Sequence, residues 1–289
     1  MTLAAGDLTT LATVKAYAGT QAPADAVLSG LISRISMMIR SDLNRQLLLP
    51  RDYSLAFNGT GTRQLVLPDW PVLSFSSLYI GGAAITQAQD NSIYSDAYGY
   101  RFLPWDGIPP GNPLVLELSG GAYYYPGQQN VAVAYRAGYQ VTNEAQSIPA
   151  STAYVLTPLA PYGIWASDEG VTYANGTPLT ATTSTTPLAG QYRPPAPDLA
   201  TPRLTYTFNA ADAGLGVLLT YGFVPADIEQ VAIELIMERG LYRNRIGVRS
   251  QMLAGQETIV YDTSGFTSFI KRALGAYVSV LPPAIGASV

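Results

Sequence analysis

Alternating apolar residues broken by Asn-Gly, two prolines and Gly-Gly make residues 53–82, YSLAFNGTGTRQLVLPDWPVLSFSSLYIGG, read as short strands and corners. Tyr53, Leu55 and Phe57 alternate with small or polar residues, and Asn58-Gly59 offers a two-residue turn. Residues 64–67 then read as the returning strand of a hairpin. Pro68 and Pro71 break the ladder, and a third strand over 72–80 stops at Gly81-Gly82. The expectation is three antiparallel strands with a proline corner before the third.

Helical periodicity brackets this β segment. Asp7 is positioned to cap a short helix with Leu8, Leu11 and Val14 on one face, ended by Gly19. After Pro23, a first-turn residue, Val27, Leu28, Leu31, Ile32, Ile35, Met38, Ile39 and Leu43 recur at three-and-four spacing. The opposite face carries Ser29, Ser33, Arg34, Ser36 and Arg40. Pro225 opens a later helix with Asp227 and Glu229 in its first turn, suited to the helix dipole, and Ile228, Val231, Ala232, Leu235 and Ile236 on its apolar face.

Between these helices the chain stays β. Strands are expected over 98–103, 114–118 and 131–139, separated by Pro109-Pro110-Gly111 and Pro126-Gly127. Residues 140–223 differ in composition, being rich in Thr, Pro, Ala and Tyr and nearly free of Lys and Arg. They read as an inserted all-β, sandwich-like module, with a second Asn-Gly turn at Asn175-Gly176, little regular pattern over 180–202, and two strands within 204–224. The fold class is therefore α+β: a small helical bundle of two N-terminal helices (1–50) plus a third (224–246), an inserted antiparallel β domain (51–139), the extra module (140–223) and a C-terminal arm (247–289). Within that arm, 257–261 reads as a strand and 266–278 as an aromatic helix.

The order of these pieces resembles the head-tail connector (adaptor, or head-completion) proteins of tailed bacteriophages. The likeness rests on the helix pair closing with R-x-L at Arg45-Gln46-Leu47, the LP-x-x-PV-x-S corner from Leu67 to Ser74, VAVAYRAGY at 131–139 and VPADIEQVAIELIMERGLYRNR at 224–245. It covers roughly 1–140 and 224–289. The last two pieces normally lie a few residues apart, whereas about eighty intervene here. The resemblance implies a dodecameric ring under the portal protein, extending the DNA channel and offering a docking surface to the next neck or tail-completion protein. It also implies a C-terminal segment that reaches a neighbouring copy or the portal, and residence at the virion neck after synthesis in the host bacterial cytoplasm.

Composition bounds the chemistry. With no cysteine and no histidine, the 289-residue chain has no disulfide, no Cys/His zinc site and no serine–histidine triad. Only 12% of residues are charged, against about 25% in an average soluble domain, a balance that suits permanent interfaces where each ion pair would be desolvated. The net charge of −4 and isoelectric point near 4.8 argue against a free-standing duplex-DNA binder, though not against a sleeve through which DNA passes without sequence-specific binding. The charge-free stretches 170–192 and 273–289 are broken by Pro, Thr, Asn and Gly, so no membrane partner is expected. The first ten residues lack the basic and apolar regions of a secretory leader.

Four arginines, Arg239, Arg243, Arg245 and Arg249, occur with no acid between Glu238 and Glu257. DNA phosphate, an acidic partner surface and solvent all compete for them. The exclusive use of arginine, whose planar fork fits fixed carboxylates, favours the partner. With Tyr261, Phe266 and Phe269 they form the expected interface to the portal or a neighbouring subunit. No catalytic, cofactor or metal site is expected, and the chain is not read as an enzyme. Ser268-x-x-Lys271 lacks the companion motifs of serine acyl-transfer enzymes, and Gly59-Thr-Gly61 precedes no helix. Asn58-Gly-Thr60 and Asn175-Gly-Thr177, formal glycosylation sequons, read as turns. Asp168-Glu169, the adjacent acidic pair a hydrolase would need, reads as a turn. The tyrosines around 94–102 and 123–125 support a competing reading, a carbohydrate-binding surface or tail-fibre protein that stacks sugars.

Overall fold

A computed structural model describes residues 6–19, 23–89, 96–103, 108–196, 203–242, 250–253, 257–260 and 268–279. The chain is mixed α/β, with helices at both ends of a long antiparallel β region. In order it runs α1 (Leu11–Ala18), α2 (Asp25–Asp42), β1 (Arg51–Gly59), β2 (Gln64–Val66), β3 (Val72–Ile80), β4 (Ala83–Ile85), β5 (Gly99–Phe102), β6 (Val115–Ser119) and β7 (Gly127–Ala137). It continues through β8 (Gln140–Ser147), β9 (Val155–Leu156), β10 (Gly163–Tyr173), β11 (Thr180–Ala181), β12 (Gln191–Arg193), β13 (Tyr206–Phe208), β14 (Gly216–Pro225), α3 (Ala226–Tyr242), β15 (Ser250–Leu253), β16 (Glu257–Val260) and α4 (Ser268–Gly275). These elements divide into a helical unit, residues 1–43, 196–204 and 226–278, and a β unit, residues 44–195, 205–225 and 279–289.

In the helical unit the expected apolar stripes form the core. Leu28, Ile32, Ile35 and Ile39 of α2 are buried, as are Ile228, Val231, Ala232, Leu235 and Ile236 of α3. Three local details differ from expectation. Thr10, not Asp7, caps α1 through its side chain, which accepts the Thr13 N–H, while Asp7 accepts a hydrogen bond from Ser33 Oγ at 3.1 Å. Pro23 lies just outside the helix, before the N-cap Ala24. Ser36, placed by periodicity on the polar face, is fully buried because its Oγ accepts the Leu8 N–H at 2.9 Å. Gly19 does end α1, at φ +57°.

The hairpin expected over 53–67 does not form. β1 pairs instead with β7, which lies between β1 and β3 in the sheet β1-β7-β3-β4, while β2 joins the separate sheet β2-β6-β5. A two-residue type I′ turn needs positive φ at both central residues, and here the positive φ falls on Gly61. Asn58 serves another strand: its Oδ1 accepts the Gln129 N–H at 2.7 Å, and Asn130 Oδ1 accepts the Gly59 N–H at 2.7 Å. Longer pairing wins over local turn propensity, because β1 against the eleven-residue β7 packs Tyr53, Leu55 and Phe57 on one core face.

Residues 140–225 build a second core. β8, β10 and β14 make one sheet, in the order β10-β14-β8, and β11-β12-β13-β9 make another. Val171, Tyr192, Tyr206, Val217, Leu219 and Tyr221 are buried in a cluster distinct from that of β1–β7. The stretch 180–202 that lacks pattern in sequence contributes β11 and β12, with 197–202 outside the described residues. The Asn175-Gly176 turn forms as expected, Tyr173 N–H donating to Thr177 O and Gly176 N–H to Tyr173 O. The 204–224 strands are not neighbours: β13 and β14 lie in different sheets, separated by a 3-10 turn at Ala210–Asp212.

Arg45 organises the start of the β unit. Its guanidinium lies 4.1 Å from the centre of the Trp70 ring, and it donates to the Trp70 carbonyl and, at 3.2 Å, to the Tyr139 hydroxyl. Tyr139 in turn donates to Pro110 O at 2.8 Å. The R-x-L and LP-x-x-PV motifs, separate in sequence, are thus one clamp.

Candidate functional surface

The acidic pair Asp168-Glu169 lies within strand β10, not in a turn, and its two carboxylates diverge because alternate strand residues face opposite sides. Asp168 accepts hydrogen bonds from Tyr192 at 2.6 Å and Tyr206 at 3.1 Å, and Trp165 Nε1 donates to the Tyr206 hydroxyl at 3.0 Å. Burial pushes the Asp168 carboxyl above its usual range, and the two phenol donors pull it back. Glu169 instead accepts from Arg136 at 2.6 Å and from Ser167 at 2.8 Å, while Arg136 also meets Asp52 at 3.1 Å. Each carboxylate is engaged in holding strands together.

The same device recurs across this part of the fold. Tyr173 donates to buried Asp212 at 2.8 Å, and Tyr221 donates to Glu144. Phenols take the place of basic side chains, which explains how a module nearly without Lys and Arg satisfies its buried acids. Burial, followed by the adjacent carboxylate, raises Tyr192 and Tyr206 well above an ordinary phenol, and burial raises Tyr124 and Tyr135. Raised phenol values in the folded state mean stability held below pH ~10 and lost as pH rises beyond it. In an alkaline titration these four phenols are expected to ionise in a sharp step coincident with loss of near-UV dichroism. A smooth titration of all tyrosines centred at the free-phenol value, with the fold intact, would refute this.

The expected partner interface falls mostly outside the described residues. Arg239 is exposed in the last turn of α3, whereas Arg243, Arg245, Arg249, Tyr261 and Phe266 lie outside the description, as does the side chain of Phe269. The expected strand at 257–261 is present as β16, paired with β15. Residues 268–278 are not a free arm: Ile270, Leu274 and Tyr277 are buried, and the Tyr277 hydroxyl donates to Asp227 at 3.3 Å. Their three-and-four spacing makes α4 amphipathic, and this face packs into the helical unit. Between α3 and α4 an open cleft of about 640 Å³ is lined by Ala226, Asp227, Gln230, Arg272, Ala273 and Ala276. Of the Ser268/Lys271 pair, Lys271 is exposed and the Ser268 side chain is outside the description.

The β unit presents rings to solvent. Tyr79 is 43% exposed, Tyr98 59%, Tyr123 52% and Tyr125 42%. Tyr100 and Phe102, from the same sequence runs, turn inward and pack on Phe75, and Tyr94 lies outside the described residues. Tyr79 was not legible as a surface ring. The only sequence signal is its place between Leu78 and Ile80, two strictly buried positions of β3.

Among the described residues no three His, Cys, Asp or Glu side chains are grouped to hold a metal ion, and no described helix is long and apolar enough to cross a membrane. Compared with known proteins, the sequence matches no protein-family model and no curated protein significantly.

Proposed function

We propose that the chain is a structural head-tail adaptor of a tailed bacteriophage. It forms a ring, dodecameric by the precedent of the family it resembles, beneath the portal protein, lengthens the DNA channel and receives the next neck or tail-completion protein. The observation that carries this reading is the chain order. α1, α2 and α3 belong to one helical unit, and strands β1 to β14 all fall between α2 and α3 in the chain, with only residues 196–204 of that stretch belonging to the helical unit. That is a helical bundle with an inserted antiparallel β domain, enlarged by the second β module. The Arg45 clamp adds support, because it gives one structural task to two motifs on which the resemblance rests.

In this reading no bond is made or broken, and Asp168 and Glu169 serve the fold. Arg239, with Arg243, Arg245, Arg249, Tyr261, Phe266 and Phe269, faces the portal or a neighbouring copy, and DNA passes without sequence-specific contact. Closed rings require heterologous interfaces, which a charge-poor surface makes with little desolvation cost.

Gold-labelled antibody against the chain, applied to virions and viewed by electron microscopy, is expected at the head-tail junction. Gold at fibres or tail tip would replace the adaptor reading with the second one, a carbohydrate-binding β-rich surface or tail-fibre protein, which the exposed tyrosines favour. Absence of gold from every particle would refute both.

A further inference from the structure

We infer that the β unit carries a binding site for a neutral glycan at the end of the β1-β7-β3 sheet where β1 stops and β7 begins. A shallow cleft of about 430 Å³ is lined there by three amide side chains, Asn58, Gln128 and Gln129. Asn58 Oδ1 is turned toward the backbone of Gln129, which holds a left-handed conformation at φ +47°. Gln128 and Gln129 are both exposed, so their side-chain amides present a donor and an acceptor to solvent.

Aromatic faces flank these amides. The register puts Ala56, Ala132 and Tyr79 in one row across β1, β7 and β3, and Asn58 follows two residues after Ala56, where the β1-β7 register shifts. Both residues that share this row with Tyr79 are alanines. Three residues before Gln128, Tyr125 stands at the rim with Tyr123, their ring centres 6.4 Å apart and nearly perpendicular.

The backbone of the rim is hydrogen-bonded although its rings are exposed. Gly61 N–H donates to Tyr124 O, Tyr124 N–H to Thr62 O, and Asn130 Nδ2 to Tyr125 O. The Tyr125 hydroxyl lies against Gly81, in the space that a Cβ there would take. Ordered aromatics held open to water lose little entropy on binding, as a stacking platform requires.

The absence of charge identifies the class of ligand. Among the described residues that line the cleft none is Lys, Arg, Asp or Glu, so none of them gives a phosphate or a carboxylate a counter-charge. Amides pair with hydroxyl groups as both donors and acceptors, and tyrosine faces accept the apolar C–H faces of pyranose rings. A neutral oligosaccharide supplies both features. A protein partner would be expected to meet a drier, more apolar core than three amides provide. The inference holds whether the chain is a neck adaptor or a surface protein.

The test uses the full chain on an array of neutral and acidic oligosaccharides, with hits titrated by calorimetry. Retention on neutral glycans is expected. Tyr79→Ala, Tyr125→Ala and the double variant Gln128→Ala/Gln129→Ala should each weaken it roughly tenfold, while Tyr79→Phe retains it and far-UV dichroism and Tm stay unchanged. Failure to bind any neutral glycan, binding confined to acidic glycans, or binding indifferent to all these substitutions would overturn the assignment. Loss of self-association in the alanine variants, without glycan binding, would make this end of the sheet a protein interface instead.

Discussion

Replacing Arg45 by Met is expected to destabilise the β unit by about 3–5 kcal/mol, the cost of breaking a buried, hydrogen-bonded charge site. Arg45 is only 4% exposed, and four groups depend on it. The Trp70 carbonyl and the Tyr139 hydroxyl lose a donor, and the Trp70 ring loses the cation stacked on it. The Asp69 carboxyl loses the charge that most offsets its desolvation, leaving hydrogen bonds from tyrosines such as Tyr135, at 3.4 Å, to hold it. Tyr139, whose phenol burial pushes up to about 12, keeps its donation to Pro110 O. Arg45→Lys should recover part of the loss, since an ammonium keeps the charge but not the planar fork that reaches Trp70 and Tyr139 together. Urea unfolding of the three proteins measures this. A loss under about 1 kcal/mol for Arg45→Met would mean that the corner closes on packing alone.

The second large effect is a pH dependence in the helical unit. Glu229 is 8% exposed on the buried face of α3, and Thr9 Oγ1 donates to it at 3.2 Å. Burial raises its carboxyl to about 7, the Thr9 bond opposing the shift. An unfolded glutamate titrates near ~4.3, so between that pH and about 7 the folded state binds the extra proton and stability falls as pH rises. Below that window the residue is neutral in both states. Above it the full cost of a buried carboxylate applies, about 2 kcal/mol once partial access of water is allowed for. Glu229→Gln keeps an acceptor for Thr9 and removes the ionisation. The variant is expected to match the parent near pH 4 and to exceed it by about 2 kcal/mol at pH 8. Denaturant midpoints measured across that range decide it: parallel curves would show that Glu229 keeps its water and its ordinary titration.

Glu229 also illustrates where sequence reading stops. An acid in the first turn of a helix reads as a favourable dipole partner, which it is, but the spacing to Ile228, Val231 and Ala232 does not reveal that Thr9 and the rest of the unit close over it. Ser36 is the converse. A serine on a nominal polar face is buried because the chain before α1 returns to use its hydroxyl. Both depend on contacts between residues far apart in sequence.

Periodicity and breakers determined which segments are helices and which are strands, because an apolar stripe repeating at three-and-four positions, or a run cut by Pro and Gly, restricts the local backbone before any partner is chosen. The buried faces of α2 and α3, the strands of the first β domain and the Asn175-Gly176 turn were legible on that basis. Strand partners were not. Asn58-Gly59 carries an Asn-Gly hairpin signal like that of Asn175-Gly176, yet β1 pairs with the distant β7, a pairing that packs Tyr53, Leu55 and Phe57 beside Val131, Val133 and Tyr135. The same non-local choice turns Tyr100 inward and Tyr79 outward, joins Arg45 to Trp70, and brings Asn58 beside Gln128 and Gln129. Local patterns set backbone conformation, whereas burial of both faces against distant strands decides neighbours, and the candidate surfaces belong to the second kind of information.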